Sequence, residues 1–228
     1  MIAICALGWN KSDYTRRWLD SVRRNSAGHD VRLYLMDNGS TDDTSAVMQS
    51  FSPAYFQRNE SNDSLYKGWN TLAGRALADG AAVVILSNND LIVAPGWLDA
   101  FARELGDPRK RYFLPNGDLH DAGTFERDAL ARRAVAVPPL TASARAGWCL
   151  VLPRAAVAAA LPIPEELQLW YGDDWIHWKL GQAGYVCEVV LDSFVLHFGS
   201  VSFYARPGYP EIVARDRETF NRLTGLNL

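Results

Sequence analysis

Residues 83–101 read VVILSNNDLIVAPGWLDAF. The apolar run from Val83 to Leu86 ends abruptly in Ser87, Asn88, Asn89 and Asp90; the triplet Leu91 to Val93 follows, and then Pro95. An unbroken apolar run is the pattern of a strand covered on both faces, as strands of parallel sheets are. In open α/β sheets, ligands bind beyond the carboxyl ends of the strands. Polar side chains at this strand's end therefore mark both a fold class and the place for a site.

Working outward, the segments before it alternate strand and helix. IAICAL, from Ile2, is another continuous apolar run. Ser12 is placed to N-cap a helix whose Tyr14, Trp18, Leu19 and Val22 share one face. VRLYLM is a second strand, stopped by the turn Asp37-Asn38-Gly39. Ser40 and Asp43 resemble a capping box for a short helix through Met48. AYFQRN predicts a third strand, and Lys67 to Asp79 a helix closed by Gly80. Pro95 is expected to open the helix after the fourth strand. This order predicts an α/β fold with a mostly parallel central sheet flanked by helices.

The second half is less regular. Asn116 to Ala144 is polar, Arg-rich and poorly periodic, and reads as loops or a flap. AGWCLVLPRAAVAAAL is a strand then a helix. GDDWIHWKLGQAGY is a helix entered at Gly172 or Asp173 and closed at Gly184. YVCEVV and FVLHFG read as two strands, and Glu211 to Leu223 as a final helix. No linker composition divides the 228 residues, so one domain, residues 1–228, is expected.

With 48% hydrophobic residues the chain can bury a sizeable core, and a net charge of −3 gives no global case for nucleic acid or anionic lipid. Cys5, Cys149 and Cys187 lie far apart in apolar segments with no C-x-x-C, as buried thiols of a reducing, cytoplasmic setting would. No apolar run is long enough to span a bilayer, and the N-terminus lacks the basic region of a signal peptide.

Motifs that would name other chemistries are missing: no G-x-G-x-x-G follows a strand, and there is no P-loop, G-x-S-x-G elbow or H-E-x-x-H. Carboxylates without a glycine-rich phosphate cradle point to a divalent metal, held by oxygen ligands and bridging to diphosphate.

YLMDNGSTDDT, GWNTLAGRAL and the opening stretch, taken in order, resemble the nucleotide-binding half of a GT-A glycosyltransferase. AGWCLVLPRAAV, YGDDWIHWKLGQAGY and VLHFGSVS resemble its acceptor-side half. The closest resemblance is to glycosyltransferase family 2, including its rhamnosyltransferase-like members, over Ile2 to Ser202. It implies a Rossmann-like GT-A domain, with residues 1–105 as the nucleotide-sugar half and 106–228 as the acceptor-side half ending in a helix. It also implies a metal-dependent, inverting transfer of sugar from a nucleotide-diphosphate donor (UDP-, dTDP- or GDP-sugar) to an acceptor hydroxyl.

Residue by residue, the resemblance implies that Asp37 contacts the base and ribose, with Leu7 and Gly8 packing on the base. Asn88, Asn89 and Asp90 stand where the family has Asp-x-Asp. Asp90 would then bind Mn2+ or Mg2+, Asn88 would lie near the ribose, and His197 would complete the metal site. Gly68 and Asn70 keep a donor-side loop-to-helix position, whereas Ala73 and Gly74 replace an Arg and Asn common in the family. Gly147 and Trp148 fall where sugars are contacted. The base that deprotonates the acceptor is Asp173 or Asp174: spacing to the Ala-Gly-Tyr at the helix end favours the first, and the acid pair followed by a helix favours the second.

Each of these residues also has a purely structural reading: turn and helix capping for the aspartates, core packing for Trp148, a satisfied strand-end histidine for His197. A catalytically silent nucleotide-sugar or carbohydrate-binding module is thus the second reading, supported by Asn88. The acceptor is open between glycan, lipid-linked glycan, protein and modified nucleic acid. The basic stretches DPRKRY (Asp107 to Tyr112) and RDALARR (Arg127 to Arg133) either meet an anionic acceptor or are solvated loop.

Overall fold

The computed structural model describes residues 1–106, 109–117, 134–136, 147–199 and 206–228. Its first half alternates as the sequence predicts: β1 (Ile2–Gly8), α1 (Ser12–Asn25), β2 (Val31–Asp37), α2 (Thr44–Gln49), β3 (Tyr55–Arg58), α3 (Leu65–Ala78) and β4 (Val83–Ser87). Strands β3, β2, β1 and β4 lie side by side and parallel. Gly8 pairs with Asp37 and Ala6 with Ser87, so the carboxyl ends of β1, β2 and β4 form one edge.

The elements that follow are β5 (Leu91–Val93), α4 (Trp97–Leu105), β6 (Arg111–Asn116), β7 (Ala134–Ala136), β8 (Cys149–Pro153), α5 (Arg154–Ala160), α6 (Gly172–Gln182), β9 (Val186–His197) and α7 (Tyr209–Thr224). The sheet continues past β4 through β8, β6, β9 and β5, with β7 also on β9. β8 is antiparallel to both β4 and β6, β9 is parallel to β6, and β5 and β7 are antiparallel to β9.

Alternation along β1 shows how the sheet builds two cores. Ala3, Cys5 and Leu7 face a cluster with Trp69 and Leu72 of α3, Ile176 of α6 and Phe220 of α7. Ile4 and Ala6 face the other cluster, with Trp18 and Leu19 of α1 and Phe101 of α4. That period of two, apolar on both sides, is why the strand reads as a continuous run. Cys5, Cys149 and Cys187 are buried thiols, as expected.

Several local expectations are corrected. Ser12 is the first residue of α1 and not its cap: Lys11, at φ 59°, precedes it, and the Ser12 N–H donates to Asp42 Oδ2 at 2.9 Å. No capping box forms at α2. The Ser40 hydroxyl instead accepts from the Asn10 N–H at 2.8 Å, and Asp42 accepts from the Thr44 N–H at 3.0 Å. Pro95 lies before Gly96, which at φ 77° is the residue that leads into α4. The two strands expected after α6 are one, because Leu191, Asp192 and Ser193 stay extended between them. Leu91 to Val93 and Arg111 to Asn116, not assigned from sequence, are strands.

In the basic stretch at 107–112, Arg109 and Lys110 are exposed, but Arg111 is not part of that surface. Arg111 is buried and ion-paired to Glu188 at 2.6 Å and Glu104 at 3.1 Å, which joins β6, β9 and α4. The stretch at 127–133 lies outside the described residues.

Helix α3 reaches the sheet through Gly68, where a Cβ would overlap the Leu7 side chain. Gly74, on the exposed side of the same helix, has nothing within 4 Å of that position. Gly68→Ala should therefore cost ~1–3 kcal/mol in urea unfolding, as overpacking does. Gly74→Ala should raise stability by ~0.5–1 kcal/mol, since alanine is the better helix former. Equal effects of the two substitutions would refute the close approach.

Candidate functional site

The turn after β2 is a fixed cradle. Asp37 is fully buried; its Oδ1 accepts from the Ser40 N–H at 3.0 Å, and its Oδ2 lies 3.2 Å from Arg58 Nε. Asp37 and Arg58 are register partners on β2 and β3, so the pair follows from strand alignment. Asn38 ties three loops together. Its N–H donates to Gly8 O (2.8 Å), and its side-chain amide donates to Asn62 Oδ1 and Asp63 O (2.9 Å each). Its side-chain oxygen accepts from Asn59 Nδ2 (2.8 Å) and the Asp63 N–H (3.2 Å).

Gly8 stands at the meeting of two turns. A Cβ there would fall 2.5 Å from Met48 Cε and 3.0 Å from Asn89 Nδ2. Leu7 and Gly68 pack on each other, and the Asn70 amide is engaged with the backbone N–H and C=O of Ile163, both at 2.8 Å. Leu7, Gly68 and Asn70 thus have structural employment between sheet and helix. Asp37, Gly8 and Asn89 are brought together at the edge.

The turn after β4 meets the second half of the chain. The Asn88 N–H donates to Trp148 O at 2.8 Å, and Asn89 Nδ2 donates to Thr15 Oγ1 at 2.8 Å. Asp90 is buried, and its Oδ1 lies 3.2 Å from Nε2 of His197, also buried. The link is the β5–β9 pairing, which sets Leu91 opposite His197. Trp148 stacks on the His197 ring, with centroids 5.4 Å apart and planes at 27°. Neither ring nitrogen of His197 has a well-formed hydrogen bond among the described residues. No group of three or more His, Cys, Asp and Glu side chains gathers around a common point among those residues either. Asp90 and His197 are a pair.

Helix α6 completes the site. It is entered through Tyr171, left-handed at φ 66°, and Gly172, whose Cα presses against the Tyr66 ring. Asp173 then lies directly against Gly147, where any Cβ would overlap its carboxyl group. Asp174 is turned inward and is 2% exposed. Burial pushes the Asp173 carboxyl up to about 6, against the opposing pull of the first-turn N–H groups of Asp173 and Asp174 and of the Tyr66 hydroxyl. Asp173, Gly147, Trp148, His197 and Asp90 are therefore one contiguous series.

Sequence reasoning missed Arg58 and Tyr66. Arg58 had a signal, a basic residue at the carboxyl end of the strand after Asp37. Tyr66 had none, since its contacts with Leu169, Gly172 and Asp173 cross the fold.

The raised Asp173 value has a sign that stability can read. Ordinary aspartate titrates at ~3.9, so a folded value of about 6 means that folding favours the protonated form. That preference is fully present below about pH 4 and is lost as pH rises through about 6. Asp173→Asn is uncharged throughout and should gain thermal stability relative to the wild type between those limits. Melting temperatures of both proteins across pH check this; a constant gap would mean that the carboxyl titrates normally.

The model of glycosyl transferase family 2 matches residues 4–147. Solved structures with the same GT-A fold include GalNAc-T7 with UDP, GalNAc and Mn2+, at 16% identity over 86% of this chain and 43% of that one, with a TM-score of 0.66. TarS of S. aureus matches at 15% identity over 97% of this chain and 39% of that one, with a TM-score of 0.69. The mannosyltransferase PcManGT from Pyrobaculum calidifontis, in complex with GDP-Man and Mn2+, matches at 14% identity over 97% of this chain and 64% of that one, with a TM-score of 0.66. At such identities the likeness is one of fold. The chain spans less than half the length of GalNAc-T7 and of the longer TarS structure. No curated protein sequence matches it.

Proposed function

The chain belongs to glycosyl transferase family 2, and from that premise we propose that it moves a sugar from a nucleotide-diphosphate donor to an acceptor hydroxyl, with inversion at the anomeric carbon. The observation that carries this reading is the unbroken series from Asp173 through Gly147, Trp148 and His197 to Asp90, beside the Asp37 cradle at the carboxyl edge of the sheet. A donor has a polar end, a charged middle and a sugar, and these elements offer a place for each in turn.

In this reading Asp37, Asn38 and Gly8 hold the nucleoside, with Asn88 and Asn89 offering neutral amides to ribose hydroxyls. Asp90 and His197 suit a divalent cation, Mn2+ or Mg2+: a carboxylate and an imidazole face each other, and the imidazole nitrogens have no competing hydrogen bond among the described residues. Bound there, the ion would neutralise charge on the departing diphosphate. Asn88 and Asn89 add no anionic ligand, so the cation depends on the donor's own oxygens and should bind weakly alone. Trp148 offers an aromatic face to the pyranose ring. Residues 1–105 thus serve the donor and 106–228 the acceptor side.

Asp173 is the base. It faces Gly147, whereas Asp174 is buried within the fold. With its carboxyl at about 6, it is mostly ionised at neutral pH yet basic enough to accept a proton. It takes the proton of the acceptor hydroxyl as that oxygen bonds to the anomeric carbon. The bond from that carbon to the diphosphate oxygen breaks on the opposite face. The same carboxyl makes the rate fall as pH drops below about 6. The three buried thiols support a reducing compartment. No described helix is long and apolar enough to cross a membrane.

Asn88, standing where the family motif has its first aspartate, favours one alternative, a binding module without turnover. Mn2+-dependent donor hydrolysis by the wild type separates the two. In the enzyme, Asp173→Asn should lose ~10²-fold or more in turnover and keep donor affinity, while Asp174→Asn should affect stability alone. If both variants turn over within a few-fold of the wild type, neither aspartate is the base. Asp90→Ala should abolish the Mn2+ dependence of donor binding in calorimetry at an unchanged melting temperature. Normal binding with Mn2+ in that variant would remove Asp90 from the metal site.

A further inference from the structure

The backbone from Leu167 to Trp170, just before Asp173, is held from two sides. On one side the start of α3 takes its carbonyls. Leu167 O accepts from Ser64 Oγ at 3.1 Å, Gln168 O from the Leu65 N–H at 2.9 Å, and Leu169 O from the Tyr66 hydroxyl at 2.9 Å. On the other side α7 takes its N–H groups. Gln168, Leu169 and Trp170 all donate to Asp216 Oδ2, at 3.1, 2.7 and 3.0 Å. Asp216 is fully buried. A buried carboxylate is costly unless charge-assisted hydrogen bonds offset its desolvation, and here three consecutive backbone donors form a nest around Oδ2.

One helical turn further along α7, Phe220 packs its ring against Tyr171, with centroids 5.5 Å apart. Tyr171 is left-handed at φ 66°, a conformation that non-glycine residues keep only when their surroundings hold them in it. Two adjacent turns of one helix therefore hold the loop and the strained residue that lead directly into Asp173.

We infer that Asp216 is a positioning residue for proton abstraction: by holding the backbone N–H groups of 168–170 from the C-terminal helix, it fixes the first turn of α6 and so sets Asp173 against Gly147. The inference rests on the reading of Asp173 as the base. A structural contact alone would give Asp216 variants lower stability with unaltered chemistry. A positioning contact lowers kcat at preserved donor affinity, because a base displaced by ~1 Å loses much of its effect.

The test uses the full chain and two readouts. The first needs no substrate: the carboxyl carbon-13 signal of Asp173, followed through its titration. In Asp216→Asn, which keeps the size and one acceptor oxygen but not the charge, the signal and its midpoint should move away from those of the wild type. An unchanged titration overturns the proposal. The second is Mn2+-dependent hydrolysis of whichever of UDP-glucose, dTDP-rhamnose and GDP-mannose the wild type turns over fastest. Asp216→Asn should lose at least about tenfold in kcat with the donor Kd within about twofold, and should add little further loss in an Asp173→Asn background. Wild-type kcat in Asp216→Asn overturns the positioning role while Asp173→Asn remains inactive. Full turnover by Asp173→Asn instead removes the base reading itself. If Asp216→Asn does not fold, Asp216→Glu, which keeps the charge and moves the carboxylate by one methylene, takes its place with the same expected and overturning results.

Discussion

The site exists because β9 changes partners. Its first residues run parallel to β6, from Val186 beside Arg111 to Val190 beside Pro115. The register then shifts between Pro115 and Asn116, and the end of β9 pairs antiparallel with β5. A proline has no N–H to give a ladder, so it is a natural place for pairing to break. β5 is a three-residue strand, short enough to be carried by the polar turn after β4. The change of partner draws His197 from the second half of the chain to Asp90 in the first. Without it, the Asp90 turn would still lie on the edge of the sheet with Trp148 held to it by the Asn88 N–H, but the imidazole would have no fixed relation to either.

The first half of the fold was legible because burial on both faces leaves an unmistakable apolar run, and because turns and helix ends carry their own residue types. Leu65–Ala78 closes at Asp79 and Gly80 as its sequence suggests, with Ser64 accepting from the Lys67 N–H at its start. Errors arose where a long-range partner displaced a local rule. Asp42 holds the Ser12 N–H, a link no local pattern announces. Leu191 to Ser193 break the apolar pattern yet stay extended, so two apparent strands were one.

For the site, residue types and order were visible, but partners were not. Asp37, Asp90, Trp148, Asp173 and His197 could each be named, while the Tyr66 hydroxyl on Leu169 and the Asp216 carboxylate on 168–170 join segments far apart in the chain. The choice between Asp173 and Asp174 had the same character. Spacing leaned one way and local pattern the other; the fold sets Asp173 against Gly147, which has no side chain to obstruct a carboxyl group, and turns Asp174 inward. Gly68 and Asn70 were visible as residue types too, but their contacts with Leu7 and Ile163 were not.

The three thiols lie in three strands of one sheet: Cys5 in β1, Cys149 in β8 and Cys187 in β9. None is accessible in the native fold, and burial pushes the Cys149 thiol up to about 12. Only thiolate reacts with an alkylating reagent, so labelling at neutral pH must wait for local or global opening. The chain therefore carries its own gauges of strand-by-strand breathing. The order in which the cysteines are modified would record whether the parallel half, the central antiparallel strand or the partner-changing strand loosens first, with no probe introduced.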